Sequence, residues 1–487
     1  MLCNRKVFGP VLFKLYISAV FFLLIGQYLF PALSWGFSIG EERLIGEQLL
    51  LTVRSKFELL DDPDIVQYLN RLGKQVLAVA GPQYFDYHFF VVKNEQFNAF
   101  AAPSGLIFFN TGLIRTMNTE DQLLSVLAHE VGHVASRHIS KRVEKQGKVT
   151  AASLLFGLAG LALGNPALTQ GLFSGALAAN RTVGLNFSRQ DEEQADRLAF
   201  DWLRTMGHDP AAMEEMLKSM RRITRYRSEQ LPPYLLTHPN PEYRLDYVQS
   251  LLQLDRDPKK QQKKTPDDHP KKAATDNFAF LRFKYRVLSK AVDLETLRIY
   301  CSNVLASEED EEALNMAYYG LALLSLEERD FYEAEKRLER VREKYPDKDI
   351  LQVDLAALYV ESGEIDKAAP LLRRVYQRDP TDMYCAFELA RVMAAKGHHD
   401  VAEKFYLEVT KNIEEYSQAY YELGRLKSSQ GEAGASNFYL AKYYLYEGKI
   451  KYAKQYLRRA EKDSSVPKNL QKEAETILKR LKVLEDA

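Results

Sequence analysis

Residues 120–138 read EDQLLSVLAHEVGHVASRH, and this stretch decides both the fold of the first half of the chain and the chemistry open to it. Leu123, Leu124, Val126, Leu127, Val131 and Val134 recur at the spacing of one helical face, with Glu120 and Asp121 in the first turn and no proline until well past the motif. On that helix His129 and His133 are four apart and project from one side, so both imidazoles reach one metal ion while Glu130 reaches a water on it. An ordinary amphipathic helix with two satisfied histidines is the plainer alternative. With only nine histidines in the chain, the spacing and the glutamate together favour a zinc-dependent peptide hydrolase.

A catalytic zinc needs a third protein ligand and one open position. His138 follows His133 by five residues, whereas a three-histidine motif places its last histidine six beyond, where Ile139 stands. The better candidate lies downstream, where SRQDEEQAD at 188–196 starts a second amphipathic helix with Ala195, Leu198, Ala199 and Trp202 facing inward. Glu192 and Asp196, four apart, share one side of it. Glu192 is assigned as third ligand, and Asp196 as the acid that accepts the free ring N–H of a ligating histidine; Glu193 is read as part of a solvated face.

Upstream, NAFAA and GLIFF around Pro103-Ser104-Gly105 read as two strands. Either they form a plain buried hairpin, or Asn98, Ala99 and Phe100 border the substrate cleft on a strand edge that pairs with an extended peptide.

HEVGHVASRH at 129–138, SRQDEEQAD at 188–196 and HPNPEYR at 238–244 resemble the gluzincin family that contains the CAAX prenyl protease and the heat-shock membrane protease. The stretches from Asp61-Asp62-Pro63 through Gly73, and Asn98-Ala99-Phe100-Ala101, are similar to a subgroup with a signal-like N-terminus and a helical-repeat C-terminus. The likeness covers about residues 41–250. It implies a zincin-type metalloprotease domain with one zinc per chain, His129, His133 and Glu192 as ligands, Glu130 as general base and Asp196 behind them. It also implies that His238 approaches the metal, either stabilising the tetrahedral intermediate or occupying the open position in a resting state, and that Arg244 lies near the cleft. Its implied role is quality control in the bacterial periplasm, on misfolded or stalled outer-membrane proteins.

Arg5, Lys6 and Lys14 precede a charge-free apolar run from Leu15 to Gly40, the pattern of an export signal that is either cleaved near residue 36 or kept as an anchor. A second charge-free stretch, Val149 to Asn180, is divided by Gly164-Asn165-Pro166 into halves too short to span a bilayer; a helical hairpin packed over the site and a lid touching membrane are its two readings. DPKKQQKKTPDDHPKKAA, with three prolines and almost no large apolar residue, is a solvated spacer.

Beyond it the chain becomes periodic. Leu321-Ala322, Leu355-Ala356, Leu389-Ala390 and Leu423-Gly424 recur every 34 residues with Ala334, Ala368 and Ala402 in step, the period of tetratricopeptide repeats. The register slips near Gly431–Gly434, one further unit follows, and Phe278 to Leu305 reads as a preceding helix pair. Such a solenoid offers a concave groove to peptides or partners, so recruitment of substrate or of outer-membrane assembly machinery is its expected role. Tyr359, Tyr376, Tyr384, Tyr420 and Tyr421 serve either recognition or helix packing.

The balance of 66 basic and 66 acidic residues gives no broad attraction for nucleic acid. Beyond the signal only Cys301 and Cys385 remain, which argues against a disulfide framework and leaves a single possible pair. The expected architecture is mainly α: residues 1–36 signal or anchor, 37–253 a metalloprotease domain with a small β-sheet, 254–276 a charged linker, and 277–487 an α-helical repeat solenoid.

Overall fold

The computed structural model describes residues 38–146, 187–226, 232–256 and 277–486. The export segment, the charge-free stretch at 149–180 and nearly all of the spacer lie outside the described residues. Among those described, no helix is long and apolar enough to cross a membrane.

The first half opens with α1 (Ile39–Lys56), whose N-cap Ser38 forms a capping box with Glu41, and α2 (Pro63–Val79), capped by Asp62 with Pro63 at its first position. A three-stranded sheet follows, formed by β1 (His88–Val92), β2 (Ala99–Ala102) and β3 (Leu106–Asn110) in the order β1-β3-β2. β2 and β3 are antiparallel, as the two apolar runs predict, and are joined by a tight turn at Pro103–Gly105. The parallel strand β1 was not expected; HFFVV is a short apolar run that periodicity alone does not separate from a helix segment. Alternation along β2 sends Phe100 and Ala102 toward α1, into a core with Ile45, Leu49, Val53 and Phe108, whereas Ala99 and Ala101 join the larger core on the other face.

After α3 (Thr111–Thr116) come α4 (Glu120–Ala135), α5 (His138–Gln146), α6 (Arg189–Met206), α7 (Ala211–Tyr226), the short α8 (Pro233–Thr237) and α9 (Pro241–Arg256). α4 and α6 carry the two segments singled out above, and they pack against each other with Gly132 facing Ala195.

The second half is helical throughout: α10 (Asn277–Ala291) and α11 (Leu294–Ser307), the expected preceding pair, then α12 (Glu311–Glu327), α13 (Phe331–Lys344), α14 (Ile350–Glu361), α15 (Ile365–Arg378), α16 (Met383–Ala395), α17 (His399–Asn412), α18 (Ser417–Ser429), α19 (Ala433–Tyr446), α20 (Ile450–Lys462) and α21 (Lys468–Asp486). The slip in register has a structural counterpart, because α19 packs extensively on both α18 and α20 and so serves two units at once. Buried Ala334, Ala368 and Ala402 sit where paired helices approach. Tyr359, Tyr384 and Tyr420 are buried, and Tyr376 donates to Glu408, so these four pack helices or bond within the solenoid; Tyr421 stays half-buried against Tyr443. Cys301 and Cys385 are free and buried.

The solenoid does not present an open groove along its whole length. Tyr68 of α2 stacks on Phe283 of α10 at 4.6 Å, and one hydrophobic core runs through both halves. Arg282 and Arg286 of α10 bind Asp354 of α14 on one side and Asp64 and Asp62 of the first half on the other. Farther along, the Ser417 N–H donates to Asp61 at 2.8 Å, and Arg480 of α21 forms a two-pronged ion pair with Glu47 of α1 at 2.6 Å. The repeats wrap the first half, and polar contacts fix where they sit.

Candidate metal centre

Two capped helices bring the donors together. The Gln122 N–H donates to Thr119 Oγ1 at the start of α4, and Ser188 and Asp191 exchange hydrogen bonds at the start of α6. A Cβ built on Gly132 would lie 3.2 Å from the Ala195 Cα, so glycine there permits the close crossing that lets His129 and His133 meet Glu192.

His129, His133, Glu192 and His238 each direct one donor atom into a cluster whose members all lie within 4.8 Å of one another. His129 Nε2 is 3.0 Å from His133 Nε2, 3.3 Å from His238 Nδ1 and 3.6 Å from Glu192 Oε2. Glu192 Oε1 is 3.4 Å from His133 Nε2 and 3.0 Å from His238 Nδ1. Ligands about 2.0–2.1 Å from a tetrahedral zinc stand about 3.3–3.4 Å apart, so the spacing suits that ion. Glu130 is fully buried beside them, and neither of its carboxylate oxygens has a hydrogen-bond partner among the described residues. Three imidazoles and a carboxylate, with a second carboxylate left over, form a donor set suited to zinc.

Asp196 lies behind His129, its Oδ1 2.9 Å from the ring Nδ1. With Nδ1 donating its proton to that carboxylate, the Nε2 lone pair is left facing the cluster. Arg244 holds Asp196 through Nε and Nη2 at 2.8 and 2.7 Å and reaches Glu192 Oε2 through Nη1 at 2.9 Å. Burial alone would push both carboxyls up. Arg244 outweighs it, together with His129 for Asp196 and His238 for Glu192, and each stays below the ordinary carboxylate range. Arg244 is 4% exposed, as buried as the donors themselves, and the paired carboxylates hold it beside them.

His238 is fully buried. Its loop is set by Asn240, in the left-handed region at φ 60°, immediately before Pro241 opens α9. The Phe187 N–H donates to the Thr237 carbonyl at 2.8 Å, joining this loop to the entry of α6. Tyr234 stacks on the His238 ring at 4.3 Å, and Phe187 lies 3.8 Å from the His133 ring. Sequence reasoning missed both aromatic walls, since neither belongs to a ligand pattern. Glu193 is not merely solvated, because it accepts from the Tyr243 hydroxyl of α9.

Asn98, Ala99 and Phe100 are all buried, and Phe100 stacks on Phe108 at 4.8 Å on the face turned to α1. Phe100 is a core residue because strand alternation turns it away from α4.

The segment carrying these donors has known counterparts. Residues 64–252 match the model of peptidase family M48. Residues 325–375 and 360–426 match that of the tetratricopeptide repeat. The β-barrel assembly-enhancing protease of Escherichia coli K12 is 35% identical over 210 residues, which cover 43% of this chain and 43% of that protein. The mitochondrial metalloendopeptidase OMA1 of Schizosaccharomyces pombe is 28% identical over 188 residues, 38% of this chain and 52% of its own. Metalloprotease LoiP of Escherichia coli K12 is 27% identical over 158 residues, 32% and 60%. The chain thus spans under half the length of the assembly-enhancing proteases it matches. The matched segment is similar to metallopeptidases of family M48, and helical repeats follow it.

Proposed function

We propose that this chain is an exported zinc endopeptidase of the bacterial envelope that degrades misfolded or stalled outer-membrane proteins and assists their assembly, with its repeats holding a substrate or partner. The observation that carries the reading is the meeting of His129, His133 and Glu192 around one point with Glu130 buried beside them. The substrate class draws its support from the names of the relatives, which include β-barrel assembly-enhancing proteases.

When bound by these donors, zinc supplies Lewis-acid polarisation of a peptide carbonyl and acidifies water. Glu130 takes the proton from the attacking water and delivers it to the leaving amine. Asp196 and Arg244 hold His129 and Glu192 in place. Among the described residues β2 pairs only with β3, so its other edge offers main-chain hydrogen bonds to an extended segment, giving low sequence selectivity. His238 Nδ1 stands in the fourth donor position, which favours the resting-state reading of this residue over a direct part in bond cleavage.

Metal analysis and a cleavage assay on an unfolded barrel protein test this. Glu130→Gln keeps its zinc and loses cleavage. A chaperone or scaffold with a structural metal would retain its cellular role in that variant, and this outcome would reject the protease. His238→Ala raises basal cleavage if the residue caps the site; a fall would restore the stabilising role.

A further inference from the structure

Behind the second histidine lies an arrangement that the donor set does not use. His133 presents Nε2 to the cluster, and its other nitrogen, Nδ1, lies 3.0 Å from Nδ1 of His138. His138 Nε2 in turn lies 3.1 Å from Gln194 Oε1. The proton positions follow from the ends of this chain. An amide oxygen only accepts, so His138 carries its proton on Nε2 and leaves Nδ1 as a lone pair. That lone pair requires a proton on His133 Nδ1, and His133 Nε2 is then the free donor that a metal needs. Read from the metal outward, the same assignment results.

The backbone is bent to achieve this. α4 stops at Ser136, and Arg137 takes a left-handed conformation at φ 52°, unfavourable for a side chain with a Cβ. Its guanidinium is held by buried Glu42 of α1, with Nη2 2.9 Å and Nε 3.3 Å from Oε2. The turn swings His138, 2% exposed, back onto the ring that precedes it by five residues. A continued helix would carry it to another face.

We propose that His138 is a positioning residue for the metal centre, accepting the His133 Nδ1–H while Gln194 accepts the His138 Nε2–H, so that the His133 Nε2 lone pair is fixed toward the ion. The two histidine ligands are then held differently, His129 by a carboxylate and His133 by a neutral imidazole. This assignment rests on the zinc reading above and adds residues to it.

The test is zinc affinity of the full chain by chelator competition, together with the melting temperature of the metal-free protein. His138→Leu weakens zinc binding by about 10- to 100-fold. His138→Asn, whose Oδ1 lies where the ring Nδ1 does, recovers most of it, and both variants melt with wild type when metal-free. Gln194→Leu, at an exposed position, gives a smaller loss in the same direction and keeps the test alive should His138→Leu misfold. Unchanged affinity in His138→Leu overturns the proposal, as does a loss that His138→Asn fails to restore, which would mark a packing role. If wild type binds no zinc, the zinc reading itself falls. Tight zinc binding that His138→Leu leaves intact removes only the positioning role.

Discussion

Gly132 and Ala195 set the distance between the two donor helices: a Cβ on Gly132 would meet the Ala195 Cα at 3.2 Å and its carbonyl oxygen at 3.4 Å. Gly132→Ala gains about 1 kcal/mol of helix propensity and meets a contact that forces the helices apart by a few tenths of an ångström. The terms oppose each other in stability but not in metal binding, where donor distances tolerate only about 0.2 Å. Gly132→Ala therefore keeps a melting temperature within a few degrees of wild type while its zinc affinity falls, and chelator competition beside a thermal scan separates the two.

Arg244 is the counter-charge for two buried carboxylates. Arg244→Leu leaves Asp196 and Glu192 with imidazole partners but no guanidinium and costs the metal-free protein about 3–5 kcal/mol at pH 7. Both carboxyls are held down in the folded state, so their stabilising contribution is present above the unfolded carboxylate pKa and is lost as pH falls through the folded one. In Arg244→Leu those groups are pushed up instead, and acid relieves the penalty. Urea midpoints measured from pH 7 to pH 4 should converge; a constant gap would show that Arg244 acts through packing alone.

Ligand chemistry was legible because it follows local spacing. His129 and His133 are fixed by one helix, and Glu192 and Asp196 by another whose start Ser188 announces. Residues whose roles depend on the chain leaving regular structure were not legible. His138 comes into play through a left-handed Arg137 held by a glutamate 95 positions away, and Arg244 reaches back from α9 to the carboxylates of α6. The 34-residue period gave the solenoid, but not its fit around the first half, because Asp62 and Asp64 read locally as an N-cap and a first-turn acid. Their second use, as partners of Arg286 and Arg282, exists only in the folded chain.

Lys284 of α10 is a buried amine with one described hydrogen bond, to the Met117 carbonyl at 2.6 Å, and burial pushes its pKa down to about 7. A lysine that gives up its proton on folding lowers stability most at and below pH 7, and the penalty fades as pH rises toward the unfolded value near 10.4. Lys284→Met removes the penalty and loses one hydrogen bond, a net gain of about 2 kcal/mol at pH 7. The gain should vanish in denaturant titrations near pH 10; equal gains at both pH values would contradict the assignment.

Asp354 is the hub through which the repeats hold the first half. Its carboxylate accepts from Arg282 at 2.8 and 2.6 Å and from Arg286 at 3.1 Å, and both arginines continue to Asp64 and Asp62. Asp354→Ala leaves two guanidiniums that are 5% and 6% exposed with only Asp64 and Asp62 as carboxylate partners, a cost of about 1.5–3 kcal/mol felt at the junction. Buried charge with fewer partners is relieved most directly by letting water reach it, and the junction is where water can enter. The variant should show a larger radius of gyration by small-angle X-ray scattering, with zinc affinity unchanged.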